Sequence, residues 1–430
     1  MKQFLALMMM MMAWPFASFA QEDDDIVIND VEVTCTAGHL SEVLAPHDPK
    51  TITGLTIQGE INGTDMVVIR QLCAPAFYDD QNGMLHKLDL SKAKIVAGGS
   101  AYYEDVDYGG TGDVFYLEDD KVGDMMFSDC SRLDTLILPE TIKEIGNNAF
   151  FGIYKLKELN LPATVSKIGN GAFASCSALT GMIIPEGITE IDKRTFSGCK
   201  GLKSVVLPST LLTIKDMAFL GCEGLEEINI PSKVENIGMG AFMLCKNATK
   251  LILPDSIKFI GKNTFANDEM LQNIYCKAMT PPVCEDGVFL NVDVNNCKLY
   301  VPKGAFEIYR ANYTFGAFAN IEETEPAADV LVLDEENENN TLTLYENGVK
   351  EANVKLTRKL KAGKWQALSL PFALNGEQVK KYFGEEAVLM EPDRLGDVSK
   401  GEEEKSIVMK KAEAMERERL TSLNRPSIPM

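Results

Sequence analysis

Apolar residues recur along the middle of the chain with a fixed period of 23 residues. A phenylalanine marks each period, usually with a cysteine three residues later and an aliphatic residue six residues later. A period of this length predicts a solenoid, in which each repeat buries its apolar side against the next one. The marking residues are Phe127, Phe150, Phe173, Phe196, Phe219, Phe242 and Phe265.

Each repeat predicts one short strand and one tight turn. Ile228 and Ile230 alternate with Asn229, which fits a strand that buries one face. Pro231 follows at once and ends the strand, because proline cannot donate to a ladder. The spacing of three between Phe, Cys and Leu predicts a helical or 3-10 turn.

We therefore predict an α/β repeat solenoid with short β-strands and short helical or 3-10 turns, followed by a small β-rich segment. We also expect one glycine column to take positive φ at a sharp turn. Those glycines are Gly146, Gly169, Gly238 and Gly261.

The repeat resembles that of the BspA-like leucine-rich-repeat surface proteins of bacteria. The resemblance is carried by residues 225–230, Pro231, Val234, Ile237, Gly238, Ala241, Phe242 and Cys245. Ile153 departs from it at a cysteine position and Ala248 at a leucine position. The resemblance implies adhesion at a cell surface, although a shared fold alone does not establish a function.

The pattern divides the chain into seven parts. The regular repeats are flanked by less regular segments that are expected to cover the exposed ends of the solenoid core. The predicted parts are a signal peptide (1–20), N-terminal irregular repeats and cap (21–126), regular repeats (127–276), a C-terminal cap of the solenoid (277–322), a linker (323–329), a small β-rich accessory segment (330–392) and a charged tail (393–430).

The first residues predict export. Lys2 precedes an apolar run, and Ser18 and Ala20 occupy the small-residue positions of a cleavage site before Gln21. The run is short for a membrane anchor, so we expect no membrane span after cleavage. The predicted location is secreted or cell-surface, with the periplasm left open.

The acidic composition argues against several partners. The formal net charge is −21, and phosphate binding needs clustered Lys and Arg, so no nucleic acid is expected. The same charge disfavours an anionic membrane surface.

Five of the ten cysteines share one apolar repeat position, and we expect them to form a buried ladder of thiols. The other five are Cys35, Cys73, Cys276, Cys284 and Cys297. A bridge of Cys284 with either Cys276 or Cys297 stays open, because connectivity cannot be read from a sequence.

The chain shows no catalytic constellation, so we predict neither an enzyme nor a cofactor. Its three histidines are His39, His47 and His86. Cys35 lies four residues from His39, but two ligands are too few for a metal site.

The outward position of each predicted strand is the candidate binding site. Five of its seven residues are apolar or aromatic, and exposed apolar patches often mark partner sites. The alternative is that Ile and Val simply favour strands. The residues are Ile137, Asn160, Ile183, Val206, Asn229, Ile252 and Tyr275.

Three functions are compatible with these sequence features. The first is binding of a protein ligand, on a host matrix or another cell's surface, through this outward face. The second is a glycan-binding or glycan-processing surface component, for which Trp365 is the main feature. The third is a structural spacer, which predicts no specific ligand.

Overall fold

The computed structural model describes residues 28–73, 83–104, 112–324, 329–334 and 352–357. These residues form a β-solenoid of about 12 turns with few helices. Short strands stack from turn to turn and tight turns join them, so the predicted repeat solenoid is confirmed. The predicted signal peptide (1–20) and charged tail (393–430) lie outside the described residues.

The N-terminal turns have the longest strands and most of the helical segments. Pairing is parallel from β1 to β2 and from β2 to β3, whereas β4 and β5 form an antiparallel pair. These elements are β1 (Asp30–Cys35), α1 (Leu40–Leu44), η1 (Pro49–Thr51), β2 (Gly54–Ile61), α2 (Gly63–Cys73), β3 (Lys87–Ile95), β4 (Gly98–Glu104), β5 (Val114–Leu117) and β6 (Lys121–Val122).

Two charged side chains fix this part in place. The carboxylate of Asp65 is buried and accepts hydrogen bonds from three backbone N–H groups at 2.6 to 2.9 Å. Arg70, on α2, donates to the carbonyls of Met125 and Met126 at 2.8 and 2.9 Å. The helix α2 is thereby joined to the residues immediately before the first regular repeat.

The regular repeats contribute strands to two parallel columns. The first strand column continues β3 with β7 (Thr135–Ile137), β10 (Gly181–Ile183), β12 (Ser204–Val206), β14 (Glu227–Asn229), β16 (Lys250–Leu253), β18 (Asn273–Cys276), β20 (Lys298–Pro302) and β21 (Asn320–Thr324). The second strand column continues β6 with β8 (Glu144–Ile145), β9 (Lys167–Ile168), β11 (Glu190–Ile191), β13 (Thr213–Ile214), β15 (Asn236–Ile237), β17 (Phe259–Ile260) and β19 (Val283–Cys284).

The sequence pattern predicts only the first strand column. Strands of the second column are two residues long, for example Glu190–Ile191. Alternation over four or more residues, which identifies a strand in a sequence, cannot occur in so short a segment. The second residue of each strand from β6 to β17 in this column is nevertheless aliphatic and buried, as Ile191 is.

The core is a stack of phenylalanine rings. Neighbouring ring centroids lie 5.0 to 5.8 Å apart, and their planes differ by 3° to 14°. The stack continues past Phe265 to Phe289. Phe289 lies one residue out of the 23-residue period, so the period in the sequence stops one turn before the stack does. Phe315 and Phe318 then pack edge-on against Phe289 and close the stack.

The C-terminal cap also uses polar contacts. The hydroxyl of Tyr309 donates to the carbonyl of Ala278 at 2.9 Å, and Arg310 donates to that of Phe318 at 2.8 Å. The helical segments of this cap are α3 (Phe306–Arg310) and η2 (Phe315–Ala317).

A last pair of strands lies in the predicted accessory segment. β22 (Asp329–Asp334) and β23 (Ala352–Thr357) pair in parallel. Since β21 ends at Thr324, the predicted linker at 323–329 overlaps the ends of two strands. The rest of the segment up to 392 lies outside the described residues. In the part of the chain that is described, the helices are too short and too polar to cross a membrane.

The cysteine position of the repeat forms the predicted ladder of buried thiols. The thiols of Cys176, Cys199 and Cys222 each donate to the carbonyl of the phenylalanine one turn earlier, at 3.1 Å. Cys245 does the same at 3.5 Å. All ten cysteines of the chain are described and all are free thiols, so neither bridge of Cys284 is formed.

The predicted positive φ of the glycine column is wrong. Gly146, Gly169, Gly238 and Gly261 have no left-handed conformation. They allow close approach instead, because a Cβ on Gly238 would lie 2.6 Å from the backbone nitrogen of Asp216 in the preceding turn.

Left-handed residues occur at two other positions of the repeat. One column has φ between 49° and 60°, and the second has φ between 60° and 77°. Glycine occupies only part of each column. The first contains Met125, Asn148, Gly171, Arg194, Met217, Gly240 and Asn263, and the second contains Asp129, Gly152, Ser175, Gly198, Gly221, Leu244 and Asn267.

Arg194 offers a test of this strain, because its side chain is exposed and its φ is 56°. We expect Arg194→Gly to raise the free energy of unfolding by about 0.5–1 kcal/mol, since a Cβ disfavours this conformation. The measurement is denaturant unfolding. Arg194→Ala is the control and keeps the Cβ, so an equal gain there would contradict the explanation.

Candidate interaction face

The outward residues of the first strand column lie in register within each group of paired strands. Ile183 pairs with Val206, and Asn229, Ile252 and Tyr275 follow one another across β14, β16 and β18. Ile137 and Ile183 are 41% and 46% exposed. Asn160 is also exposed, whereas Asn229, Ile252 and Tyr275 are half-buried. We call this surface the strand face.

The prediction that Val206 points outward is wrong. Its side chain is fully buried, and Val205 before it is half-buried. The in-out alternation is lost in β12, where the order is half-buried, half-buried and buried. This strand pairs only with β10 and borders the gap before β14. β10 and β14 also have one paired neighbour each and keep their alternation, so the lost alternation is specific to β12.

The strand face extends beyond the predicted residues. Tyr300 lies in register with Tyr275, and Glu322 in register with Tyr300. The two tyrosine rings stack at 4.6 Å with planes 11° apart. The sequence contains the signal, since Leu299, Tyr300, Val301 and Pro302 repeat the strand-then-proline pattern 25 residues after Tyr275.

Charges on the strand face are partly paired. Lys250 lies 3.2 Å from Glu227, and Lys298 lies 3.1 Å from Glu322. Both pairs join neighbouring strands and are solvent-exposed, so each contributes little to stability. Their effect is a face on which apolar residues alternate with ion pairs.

The first strand column opens between β12 and β14. No strand pairing joins these two strands in the described residues. A cleft of about 180 Å³ occupies the gap. Its apolar lining comes from Val205, Leu207, Leu225, Ile228 and Phe242. Its polar lining comes from Lys203, Ser204, Glu226, Glu227 and Asn229. We call this feature the strand cleft.

The buried thiols are poor candidates for chemistry. Burial raises the pKa of Cys176 to about 12 and also raises the pKa of Cys222. At neutral pH these thiols therefore stay protonated, and the thiol form is not nucleophilic. Within the described ranges, no three His, Cys, Asp or Glu side chains are placed to hold a metal ion.

Asp268 is an unusual buried acid. It takes the cysteine position of the last regular repeat and is fully buried. Its Oδ1 accepts a hydrogen bond from the backbone N–H of Cys245 at 2.8 Å, and Oδ2 has no partner among the described residues. Burial raises the pKa of this carboxyl well above its usual range. Asp268 lies in the same buried column as the thiols. It lines neither the strand cleft nor the strand face.

The comparisons with known proteins agree with this architecture. The family described as BspA type leucine rich repeat region matches residues 119–223 and 189–321, with six copies. The chain is therefore a leucine-rich-repeat protein. Its repeats in 119–321 belong to the BspA-type family. No curated protein matches the chain.

Solved structures of bacterial proteins are similar to the chain. A leucine-rich repeat protein from Bacteroides ovatus has 21% identity over 70% of each chain, with a TM-score of 0.44. A leucine rich cell surface protein from Faecalibacterium prausnitzii has 23% identity over 50% of this chain and 85% of that chain, with a TM-score of 0.27. The pneumococcal vaccine antigen PcpA has 15% identity over 64% of this chain and 67% of that chain, with a TM-score of 0.32.

Asp268 gives a prediction about pH. In the unfolded chain the pKa of the Asp268 carboxyl is about 3.9. In the folded protein burial raises this pKa, so the carboxyl keeps its proton to higher pH. The folded state then binds more protons, so stability falls as pH rises through this window. We expect Asp268→Cys to remove this fall and to stabilise the protein at pH 7 by about 1–3 kcal/mol.

The measurement is thermal unfolding of both proteins between pH 4 and pH 8. Asp255→Asn, which changes an exposed carboxylate, is the matched control and should keep the wild-type slope. The same slope in Asp268→Cys as in the wild type would show that Asp268 is not the group responsible.

Proposed function

We propose that the chain is an exported protein that adheres to a protein ligand, on a host matrix or another cell's surface, through the strand face. It is a non-enzymatic binding protein in this proposal. The observation that carries it is the alignment of Ile252, Tyr275 and Tyr300 along the outside of the first strand column. Ile137 and Ile183 are exposed on the same column. Such a surface loses water when a partner covers it, which favours association.

The N-terminal end of the first strand column is different, which supports a localised site. There the residues in register with Ile137 are Asp89, Thr56 and Glu32, all polar. If strand propensity alone selected the outward residues, the apolar character would not change between the two ends. The apolar residues begin at Ile137, where the regular repeats begin.

The tyrosine pair favours a protein partner over a glycan. Sugar rings bind aromatic side chains by lying on an open ring face. The rings of Tyr275 and Tyr300 stack at 4.6 Å, so each ring covers one face of the other. Aromatic edges and hydroxyls are common in protein interfaces. Trp365, the main feature behind the glycan alternative, lies outside the described residues.

Export is part of the proposal and rests on the sequence alone. The apolar run after Lys2 and the small residues Ser18 and Ala20 support cleavage before Gln21. Mass spectrometry of the protein recovered outside the cell checks this step, because cleavage leaves Gln21 as the first residue.

A double substitution tests the strand face. Ile137→Asp with Ile183→Asp places two carboxylates on exposed positions, so the fold should persist. We expect binding to the true protein ligand to weaken about tenfold or more, because the interface must then desolvate unpaired charges. The measurement is surface plasmon resonance against a panel of host matrix proteins and glycans.

The matched control is Tyr154→Asp with Leu212→Asp, since both side chains are 45% exposed and neither is on the strand face. This control should bind as the wild type does. Equal affinity of the strand-face variant and the wild type for a verified ligand would remove the face from the proposal. A glycan ligand retained by that variant would support the glycan alternative, and absence of any ligand would support the spacer.

A further inference from the structure

We infer that the strand cleft receives one large apolar side chain of the protein partner, and that a basic residue beside this side chain meets the acidic rim of the cleft. This inference rests on the proposed function and adds the chemistry of the partner. It concerns a feature in the middle of the strand face that none of the sequence signals predicts.

The cleft arises because the strand face opens between β12 and β14 while the second strand column and the core stay stacked in the same turns. On the far side, β13 and β15 remain paired. In the core, the rings of Phe196, Phe219 and Phe242 keep spacings of 5.2 and 5.0 Å. Between β12 and β14, the structure shows one long backbone hydrogen bond, from Glu226 N to Lys203 O at 3.4 Å. The opening is therefore local and held in place by a rigid frame.

The size of the cleft fits a single side chain. Its volume is about 180 Å³. A cavity of roughly 150 Å³ in another protein holds one benzene molecule. Pockets for cofactors and drug-sized ligands begin at roughly 300 Å³. A phenylalanine, leucine or methionine side chain fits, whereas a larger ligand does not.

The lining of the cleft is apolar at its base. Leu225, Phe242 and Leu207 belong to the hydrophobic core and are 1%, 1% and 4% exposed. Here they also line a space that opens to solvent. An entering apolar side chain would contact the half-buried Val205 and lie over these ordered core residues. Pockets with such rigid, apolar walls are where interface hot spots are found.

The rim of the cleft selects the charge of the partner. Lys203, Glu226 and Glu227 are all exposed, so acids outnumber bases there. Glu227 already pairs with Lys250 at 3.2 Å. Glu226 makes no ion pair within the described residues. The whole chain carries a net charge of −21, which adds to the attraction for a cation.

Two small phenyl probes of opposite charge test the inference. The probes are 2-phenylethylammonium and phenylacetate, and the full-length protein is observed by saturation-transfer NMR. We expect the cation to give a signal at least about twofold larger than the anion at low salt, the size of effect that an exposed ion pair produces. The preference should shrink as salt is added.

Two variants locate the binding. Val205→Phe fills the cleft from a half-buried position, and we expect it to abolish the signal of both probes. Leu212→Phe adds a ring at an exposed position away from the strand face and should leave the signals intact. Glu226→Lys should reverse the charge preference, whereas Glu158→Lys, an exposed acid on the same side, should not. Thermal unfolding confirms that each variant is folded.

Equal probe signals in the wild type and the folded Val205→Phe variant would overturn the inference, as would a preference for phenylacetate. A second experiment selects peptides that bind the full-length protein from a random display library. It distinguishes a strand cleft that binds no side chain from a strand face that binds no protein. Peptides with an apolar residue next to Lys or Arg that lose binding in Val205→Phe support the cleft. Peptides lost in the Ile137 and Ile183 double variant but kept in Val205→Phe support the strand face and reject the cleft.

Discussion

Every turn of the solenoid is fixed by contact with the turns beside it. The backbone N–H of Phe196 donates forward to the carbonyl of Ala218 at 2.8 Å, while the thiol of Cys199 donates backward to the carbonyl of Phe173 at 3.1 Å. Ring stacking at about 5 Å sets the same spacing as strand pairing. A single repeat has neither neighbour, so the repeats must fold together.

The sequence predicts the features that recur in every repeat. It does not predict the features that arise from the separation between neighbouring repeats. The Phe, Cys and Leu columns are visible because each recurs at one spacing and is buried in every turn. Val206 shows the limit, since its column predicts an outward position and its side chain is buried in a strand that has lost the alternation. Tyr300 lies beyond a two-residue irregularity in the period. The strand cleft has no motif, because it is a separation between strands.

The strand face combines a regular scaffold with local irregularity. Its aligned residues come from separate repeats, yet stacking holds them at fixed distances, so a partner that bound there would cost little conformational entropy. The opening between β12 and β14 adds depth to this surface. In the proposed function, specificity would come from the places where one turn differs from the next.

The thiol ladder has a consequence for the lifetime of the fold. Four thiols spaced one turn apart are shielded from oxidants only while the turns stay closed. Where an oxidant is present, a turn that opens exposes neighbouring cysteines that can cross-link before the turn recloses. Each opening then exposes the turn to a disulfide cross-link that prevents it from closing again. Cross-linking is slower on average than reclosing, so the survival of the protein is set by the fraction of time that a turn is open, a local equilibrium, more than by its global stability.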